Sequence, residues 1–275
     1  MARQWGATAV PFGEPSTEAW LETPQNQRAL TLLDQTATLR SVLLLAGPNG
    51  VGKSAWVGRW LQRLDRRLFC PLRVTHASLS GCGLRSALAA KLGKRATFRR
   101  EANLVLIEAA LAELGPVVPR IVLDEAQSFG CGSLEAVRRL LGLNRADPPA
   151  FGLVLIGDES LLGPLRLRPH RSLCARIACH WSLGPWTAPL VAQYVQQGFA
   201  AVGITRPAIE PAALHLLTRA SRGLARSLGL LGRAAWIEAA SAGAQILEPP
   251  PVPAARERVP GAAGLIPTPP AQTTA

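Results

Sequence analysis

The chain has 275 residues, 48% of them hydrophobic, with 30 Lys and Arg against 18 Asp and Glu and a formal net charge of +12. That length suits one large α/β domain or a core domain plus a small one, and the apolar share can fill a core without disulfide or metal staples. With no apolar run near the ~20 residues of a membrane span, no basic-then-apolar leader and five irregularly spaced cysteines, the expectation is a cytoplasmic protein without membrane contact.

The charge is unevenly spread. Residues 53–100 carry 12 Lys and Arg against the single Asp65, a net +11, whereas residues 101–165 carry 4 against 9, a net −5. An Arg-favouring base composition accounts for Arg in place of Lys, but not for the scarcity of acids between 53 and 100. A polyanion-facing surface accounts for both.

Residues 1–22 read as an irregular arm, with Trp5, Phe12 and Trp20 spaced by Gly and Pro and available for packing. Thr23 and Pro24 open a helix to about residue 39, with Leu30, Leu33 and Ala37 on one face. The apolar run 41–46 then leads into Gly47, Pro48, Asn49, Gly50, Val51, Gly52, Lys53 and Ser54, which match G-x-x-x-x-G-K-[ST] between a strand and a helix. In that setting backbone N–H groups and a helix N-terminus face a polyphosphate. Lys53 would reach the β- and γ-phosphates of ATP, and the Ser54 hydroxyl would face Mg²⁺.

The following helix, 53–68, sets Trp56, Trp60 and Leu64 toward a sheet and arginines on its other faces. Residues 72–77 form a strand, 80–83 a turn, 84–92 a short helix, and 91–100 a basic loop containing Phe98. A helix over 101–114 has Leu104, Ile107, Leu111 and Leu114 on its apolar stripe and stops at Gly115-Pro116. The strand that follows, beginning at Arg120, delivers Asp124 and Glu125 to its carboxyl end, where ligands of open α/β sheets bind. Asp124 would hold Mg²⁺, with Ser54, and Glu125 would polarise an attacking water.

Residues 133–143 are helical, Asp147-Pro148-Pro149 breaks the chain, and the all-apolar strand 151–156 leads to Asp158 and Glu159. Arg168, Arg171 and Arg176 precede a last strand, 177–183; with Arg226 they are the candidate cations for charge developing on a γ-phosphate. His170, Cys174, Cys179 and His180 lack the paired C-x-x-C spacing of a zinc site, so buried thiols beside a strand are the expectation. From residue 187 three helical stretches follow, 187–201, 208–220 and 224–243. Residues 248–275, rich in Pro, are expected to be disordered.

The sequences G-P-N-G-V-G-K-S, I-V-L-D-E-A-Q, L-V-L-I-G-D-E-S-L-L, L-C-A-R-I and S-R-G-L-A-R-S-L, in that order, resemble the AAA+ ATPases of the ExeA/TniB/TnsC/MuB group, over residues 23–252. The resemblance implies an α/β AAA+ P-loop core over 23–186, a parallel sheet ordered 5-1-4-3-2 and a small helical lid over 187–247. It makes Lys53, Asp124, Glu125, Arg176 and Arg226 the catalytic set: Arg176 would reach a neighbouring subunit's ATP, and Arg226 is the lid's sensor arginine. Two positions depart from the pattern. Asp158 replaces a neutral polar sensor, which would weaken hydrolysis, and Ala225 replaces the Pro usual before the lid arginine.

Secretion-associated members of the group add a membrane span, whereas the transposition regulators are short, basic and assemble on DNA. The transposition branch implies an ATPase, slow in turnover if ATP acts mainly as an assembly ligand. It would oligomerise head-to-tail, as ring or filament, on target duplex DNA and recruit or activate a transposase, with hydrolysis driving disassembly. Its DNA-facing residues follow the second strand, which here gives Arg85, Lys91, Lys94, Arg95, Arg99 and Arg100 as phosphate-backbone contacts without sequence reading. The alternatives are a helicase- or partner-loading protein and an ExeA-like regulator of cell-envelope assembly.

Overall fold

The computed structural model describes residues 2–13, 21–75, 80–97, 99–143 and 149–259. Trp20, the end of the expected second strand, Phe98, Asp147 and the chain from 260 lie outside the described residues. Two compact units are present: one of Pro24–Asn49 and Lys53–Leu183, the other of the N-terminal arm, Gly50–Gly52 and the chain from Gly184.

The first unit is built on five strands, β1 (Val42–Ala46), β2 (Phe69–Val74), β3 (Val118–Leu123), β4 (Gly152–Ile156) and β5 (Cys179–Ser182), paired in the order β2-β3-β4-β1-β5. All pairings are parallel. This is the order 5-1-4-3-2 that the resemblance implies. The central strands β1 and β4 are buried at every position because helices cover both faces, as their unbroken apolar runs require.

Side chains alternate between the two faces. Val42, Leu44, Ile121, Leu123, Leu153 and Leu155 join one core with Leu84, Leu88, Ile107, Leu134 and Val137. Those last five come from α3 (Gly81–Lys91), α4 (Arg100–Glu113) and α5 (Cys131–Leu140). Against the sheet also pack α1 (Pro24–Leu39) and α2 (Lys53–Arg63), joined by the Trp60 indole N–H donating to Asp34 at 2.8 Å. Two short helices, α6 (Leu162–Arg166) and α7 (Arg171–Cys174), precede β5.

Arg120, on β3, is buried with its guanidinium over the Phe69 ring at 4.5 Å, donating to the Ala37 carbonyl. Burial first, and nearby Arg40 second, hold its pKa down to about 10, so it remains charged at neutral pH.

Several boundaries differ from expectation. Helix α2 ends at Arg63, and Leu64 lies beyond it. The expected turn at 80–83 is instead the start of α3, because the Ser80 hydroxyl accepts the Gly83 N–H at 3.2 Å and caps the helix. On α4 the buried face is Asn103, Ile107, Ala110 and Leu111: Ile107 and Leu111 are buried as expected, whereas Leu104 and Leu114 are only half-buried. Cys174 is exposed and Cys179 half-buried, against the expectation of buried thiols.

The second unit contains α8 (Ala188–Ala200), α9 (Pro211–Ser221), α10 (Ala225–Ser241) and α11 (Pro251–Arg258). The aromatics of the N-terminal arm belong to its core: Trp5 stacks on Phe199 at 6.2 Å and meets Trp236 edge-on at 5.7 Å. Phe12 sits between α8 and α10 because both helices carry Gly there. A Cβ would come within 2.4 Å of the ring at Gly198 and within 3.1 Å at Gly232. Each such glycine costs about 1 kcal/mol of helix propensity, which seating the ring offsets.

Helix α11 corrects the expectation of disorder after residue 248. Proline composition argued against structure, yet Pro251 stands in the helix's first turn, where its fixed φ is suited, and Val252 and Ala255 are buried in the core of the second unit. Among the described residues no helix is long and apolar enough to cross a membrane. Substituting Val252→Ala is expected to cost about 2 kcal/mol, and exposed Glu257→Ala within about 0.5 kcal/mol, in urea unfolding of the full chain. Equal midpoints for the two variants would return residues 251–258 to the disordered tail.

Candidate nucleotide site and basic surface

Strands β1, β3 and β4 all deliver their functional residues at one edge. Ala46 ends β1 and hands over to Gly47, Leu123 ends β3 and hands over to Asp124, and Ile156 ends β4 just before Gly157 and Asp158. This is the carboxyl edge of a parallel sheet, where the chain leaves the strands and backbone groups become available to a ligand. Gly47 takes φ 144°, and a Cβ there would lie 2.2 Å from the Leu183 carbonyl oxygen, so the loop begins in a geometry and a space that only glycine meets.

Lys53 opens α2 and is 8% exposed, its Nζ donating to the carbonyls of Gly47 at 2.6 Å and Pro48 at 3.0 Å. The loop's own carbonyls thus hold the ammonium at the loop. Next to it, the Ser54 hydroxyl donates to Asp124 Oδ1 at 3.0 Å. A hydroxyl and a carboxylate oxygen this close are the hard donors that Mg²⁺ takes from a protein, the remainder coming from phosphates and water. The residues present therefore fit the ion that the loop motif implies.

Asp124 is 2% exposed, and a buried carboxyl needs partners. Besides Ser54 it accepts the Glu125 backbone N–H at Oδ1, 3.0 Å, and the Arg73 guanidinium at Oδ2, 2.6 Å. Glu125 adopts φ 55°, ψ 38°, a left-handed conformation uncommon for a non-glycine residue. It starts a line of hydrogen bonds. Gln127 Nε2 donates to Glu125 Oε2 at 2.6 Å, the Asp158 N–H donates to Gln127 Oε1 at 3.2 Å, and Asn49 Nδ2 donates to Asp158 Oδ2 at 3.3 Å. Asp158 also caps the short turn Glu159–Leu161 by accepting the Ser160 N–H at 2.9 Å, so part of its charge is already engaged.

The other named arginines are placed separately. Arg176 is half-buried and donates from Nη1 to the Arg138 carbonyl in the last turn of α5, at 3.3 Å. Arg168 and Arg171 are exposed. In the second unit, the exposed Arg226 is the second residue of α10, and its backbone N–H donates to the carbonyl of Gly50, which belongs to the same unit, at 3.0 Å. Ahead of it Gly223, with φ 70°, lies so close to Trp186 that a Cβ would meet that carbonyl oxygen at 2.3 Å.

The basic segment forms the turn between α3 and α4. Lys91, Arg95 and Arg99 are exposed, and Lys94 is ion-paired to Glu113 at 2.6 Å; Arg100 is the first residue of α4. Arg85 corrects the expectation. It is 7% exposed, on the buried stripe of α3 with Leu84, Leu88 and Ala89, and does not present its guanidinium to a phosphate backbone. Asn103, 0% exposed, holds the turn in place: Oδ1 accepts the Thr97 N–H at 2.7 Å, and Nδ2 donates to the Thr97 carbonyl at 2.8 Å and to Ser86 Oγ at 3.0 Å.

Sequence reasoning missed Arg73 and Asn103 as site-forming residues and left Gln127, within the D-E-A-Q motif, without a role. Each had a signal: a charge within an otherwise uncharged strand, an amide on the buried face of a helix, and an amide two residues after the carboxylate pair. Replacing Asn103→Ala is expected to raise amide exchange over residues 94–99 by about tenfold, with ATP affinity unchanged. Exchange that stays slow would show the turn is held by other contacts.

Residues 36–165 match the family model of the AAA domain. General secretion pathway protein A of Aeromonas hydrophila is 30% identical over 207 residues, covering 73% of this chain but 37% of that protein, so the chain spans little more than a third of the relative's length. Among solved structures, Cdc6p from Pyrobaculum aerophilum is similar with a TM-score of 0.73, 18% identity, and coverage of 90% of this chain and 70% of that one. The Aeropyrum pernix ORC1 protein in complex with DNA has a TM-score of 0.68, 23% identity, and coverage of 94% and 70%. The Thermotoga maritima RuvB Holliday junction branch migration motor has a TM-score of 0.60, 18% identity, and coverage of 90% and 73%. At these identities the structures speak to fold. Sheet order and phosphate loop agree with that match: residues 36–165 are similar to the AAA domain, on an α/β core with a five-stranded parallel sheet.

Proposed function

We propose that this protein is an ATP-dependent, DNA-binding regulator that assembles on target duplex DNA and recruits or activates a transposase, with hydrolysis driving disassembly. The observation that carries the reading is the basic turn between α3 and α4. It is exposed at Lys91, Arg95 and Arg99, anchored from below by Asn103, and belongs to the same unit as Lys53, Ser54 and Asp124. Long flexible cations on an ordered turn suit contacts to phosphates, which position a protein on duplex without reading bases. The relatives named above as a DNA complex and as a junction motor are consistent with that use of the fold.

The nucleotide has a defined role for each residue. Lys53 would neutralise the β- and γ-phosphates, and Ser54 with Asp124 would hold Mg²⁺, which would supply charge neutralisation to the phosphates. Glu125 orients water, its carboxylate being held meanwhile by Gln127. Arg176 serves a neighbouring subunit's ATP in a head-to-tail assembly, and Arg226 senses the γ-phosphate from the lid. With Asp158 at the sensor position, slow turnover suits a ligand that times assembly.

A second reading is favoured by the match to a general secretion pathway protein: regulation of cell-envelope assembly without DNA. A partner-loading role is compatible with the same fold. Salt-dependent binding to duplex DNA separates these from the main proposal. Each phosphate contact contributes a slope of about −0.9 in log affinity against log salt, so affinity should fall steeply with salt if ATP is present. Charge reversal in Arg95→Glu/Arg99→Glu is expected to abolish DNA-dependent assembly and leave ATP binding intact, whereas Lys53→Ala removes ATP binding and assembly together. No duplex binding at low salt would transfer the case to the secretion reading.

A further inference from the structure

Arg73 has no role in the mechanism so far, yet its guanidinium lies on the carboxylate assigned to the metal. Strand register explains how it gets there. In the parallel pair β2–β3, Arg73 stands opposite Val122, and Asp124, two residues on, projects from the same face. The distance from Nη2 to Asp124 Oδ2 is 2.6 Å, with the arginine side chain 31% exposed and that of the aspartate 3%. A second observation comes from α2. A Cβ added at Gly58 would lie 3.1 Å from Arg73 Nη1, so the helix leaves room for the guanidinium by having no side chain at that position. The buried Nε has no hydrogen-bond partner among the described residues, so the side chain is held through its tip.

The two Asp124 oxygens thus face different partners. Oδ1 takes the Ser54 hydroxyl and the Glu125 N–H, and Oδ2 takes a permanent cation. A divalent ion drawing on Ser54 and Asp124 must share the carboxylate with that cation or displace it. Guanidinium and metal are like charges within a few ångströms in a partly desolvated place, where Coulomb terms are large.

We infer that Arg73 is a tethered counter-cation of Asp124: it holds the carboxylate when the metal is away, competes with the metal, and so sets the Mg²⁺ concentration at which nucleotide is held tightly. The inference rests on Ser54 and Asp124 being the metal-facing pair.

The test is a Mg²⁺ titration of the full chain with a fluorescent ATP analogue, read as binding rather than turnover, in wild type, Arg73→Gln and Arg73→Lys. Arg73→Gln is expected to lower the Mg²⁺ midpoint by about fivefold or more. It should also lower the thermal midpoint in EDTA, because the buried carboxylate loses its partner, and Mg²⁺ with nucleotide should restore more of it than in wild type. Arg73→Lys keeps the charge but not the fork and should shift both in the same direction by less; it carries the test if the glutamine variant does not fold. An unchanged Mg²⁺ midpoint would make Arg73 a structural partner only and overturn the inference. A raised midpoint would overturn it too, by showing that Arg73 orients Asp124 for the metal. Nucleotide binding that ignores Mg²⁺ in wild type would overturn the metal-facing assignment itself, and the inference with it.

Discussion

A buried carboxylate is expensive unless its oxygens are partnered, and Asp124 has a donor on each of them, three in all, from separate parts of the chain. The Ser54 hydroxyl comes from the first turn of α2, the Arg73 guanidinium from β2, and the third donor from the backbone of Glu125. These groups converge only if β2 and β3 run parallel in their observed register and if the phosphate loop turns tightly enough to start α2 beside β3. The loop achieves that turn because Gly47 takes a conformation and a space closed to other residues. The sheet order and the loop therefore act as one constraint. Losing any one donor would leave a charge in a nearly dry place, which is also why the same carboxylate is available to a metal ion.

The phosphate loop could be read from eight consecutive residues because its geometry is local: glycines for the turn, Lys and Ser for the phosphates and the metal. The buried strands were equally plain, since parallel strands covered on both faces are written as unbroken apolar runs. Features that depend on register or on helix phase were harder. Arg73 looks unremarkable in β2 until pairing opposite Val122 places it on the face of Asp124. Asn103 is hidden because Leu104, Ile107 and Leu111 make an acceptable apolar stripe, although at its start the buried residue is Asn103 and Leu104 is only half-buried. The resemblance makes Arg85 a DNA contact, although Leu84, Leu88 and Ala89 mark its side of α3 as the inner one.

Composition misled in the second unit as well. Eight of the last 27 residues are Pro, which suggested disorder throughout, but a helix needs only a tolerant first turn and two small apolar side chains to dock. Val252 and Ala255 supply these. The glycines of α8 and α10 show the converse. Gly198 and Gly232 weaken their helices as isolated segments, and their value appears only when Phe12, from nearly two hundred residues away, is seen to fill the space they leave. Sequence patterns report local preference; these residues were chosen by partners distant in the chain.

The same long-range logic links the nucleotide site to the basic turn. Helix α3 follows β2, which carries Arg73, and α5 follows the carboxylate end of β3, and α3 packs against both α4 and α5. The turn bearing Arg95 and Arg99 is therefore suspended from a helix that meets, directly or through one neighbour, both chain segments leaving Asp124. Coupling between two sites requires an element with two discrete arrangements that both sites bias. A guanidinium that either holds Asp124 or yields it to a metal ion is such an element, and it sits at the head of the chain segment leading into α3. Asn103 supplies the other requirement, because a turn pinned by two hydrogen bonds between Thr97 and Asn103 on α4, itself bonded to Ser86 on α3, follows those helices rather than averaging over its own motion. If the turn contacts DNA as proposed, the amide beneath it matters as much as the arginines above it, since exposed cations on a loose loop would bind phosphates without registering the state of the nucleotide.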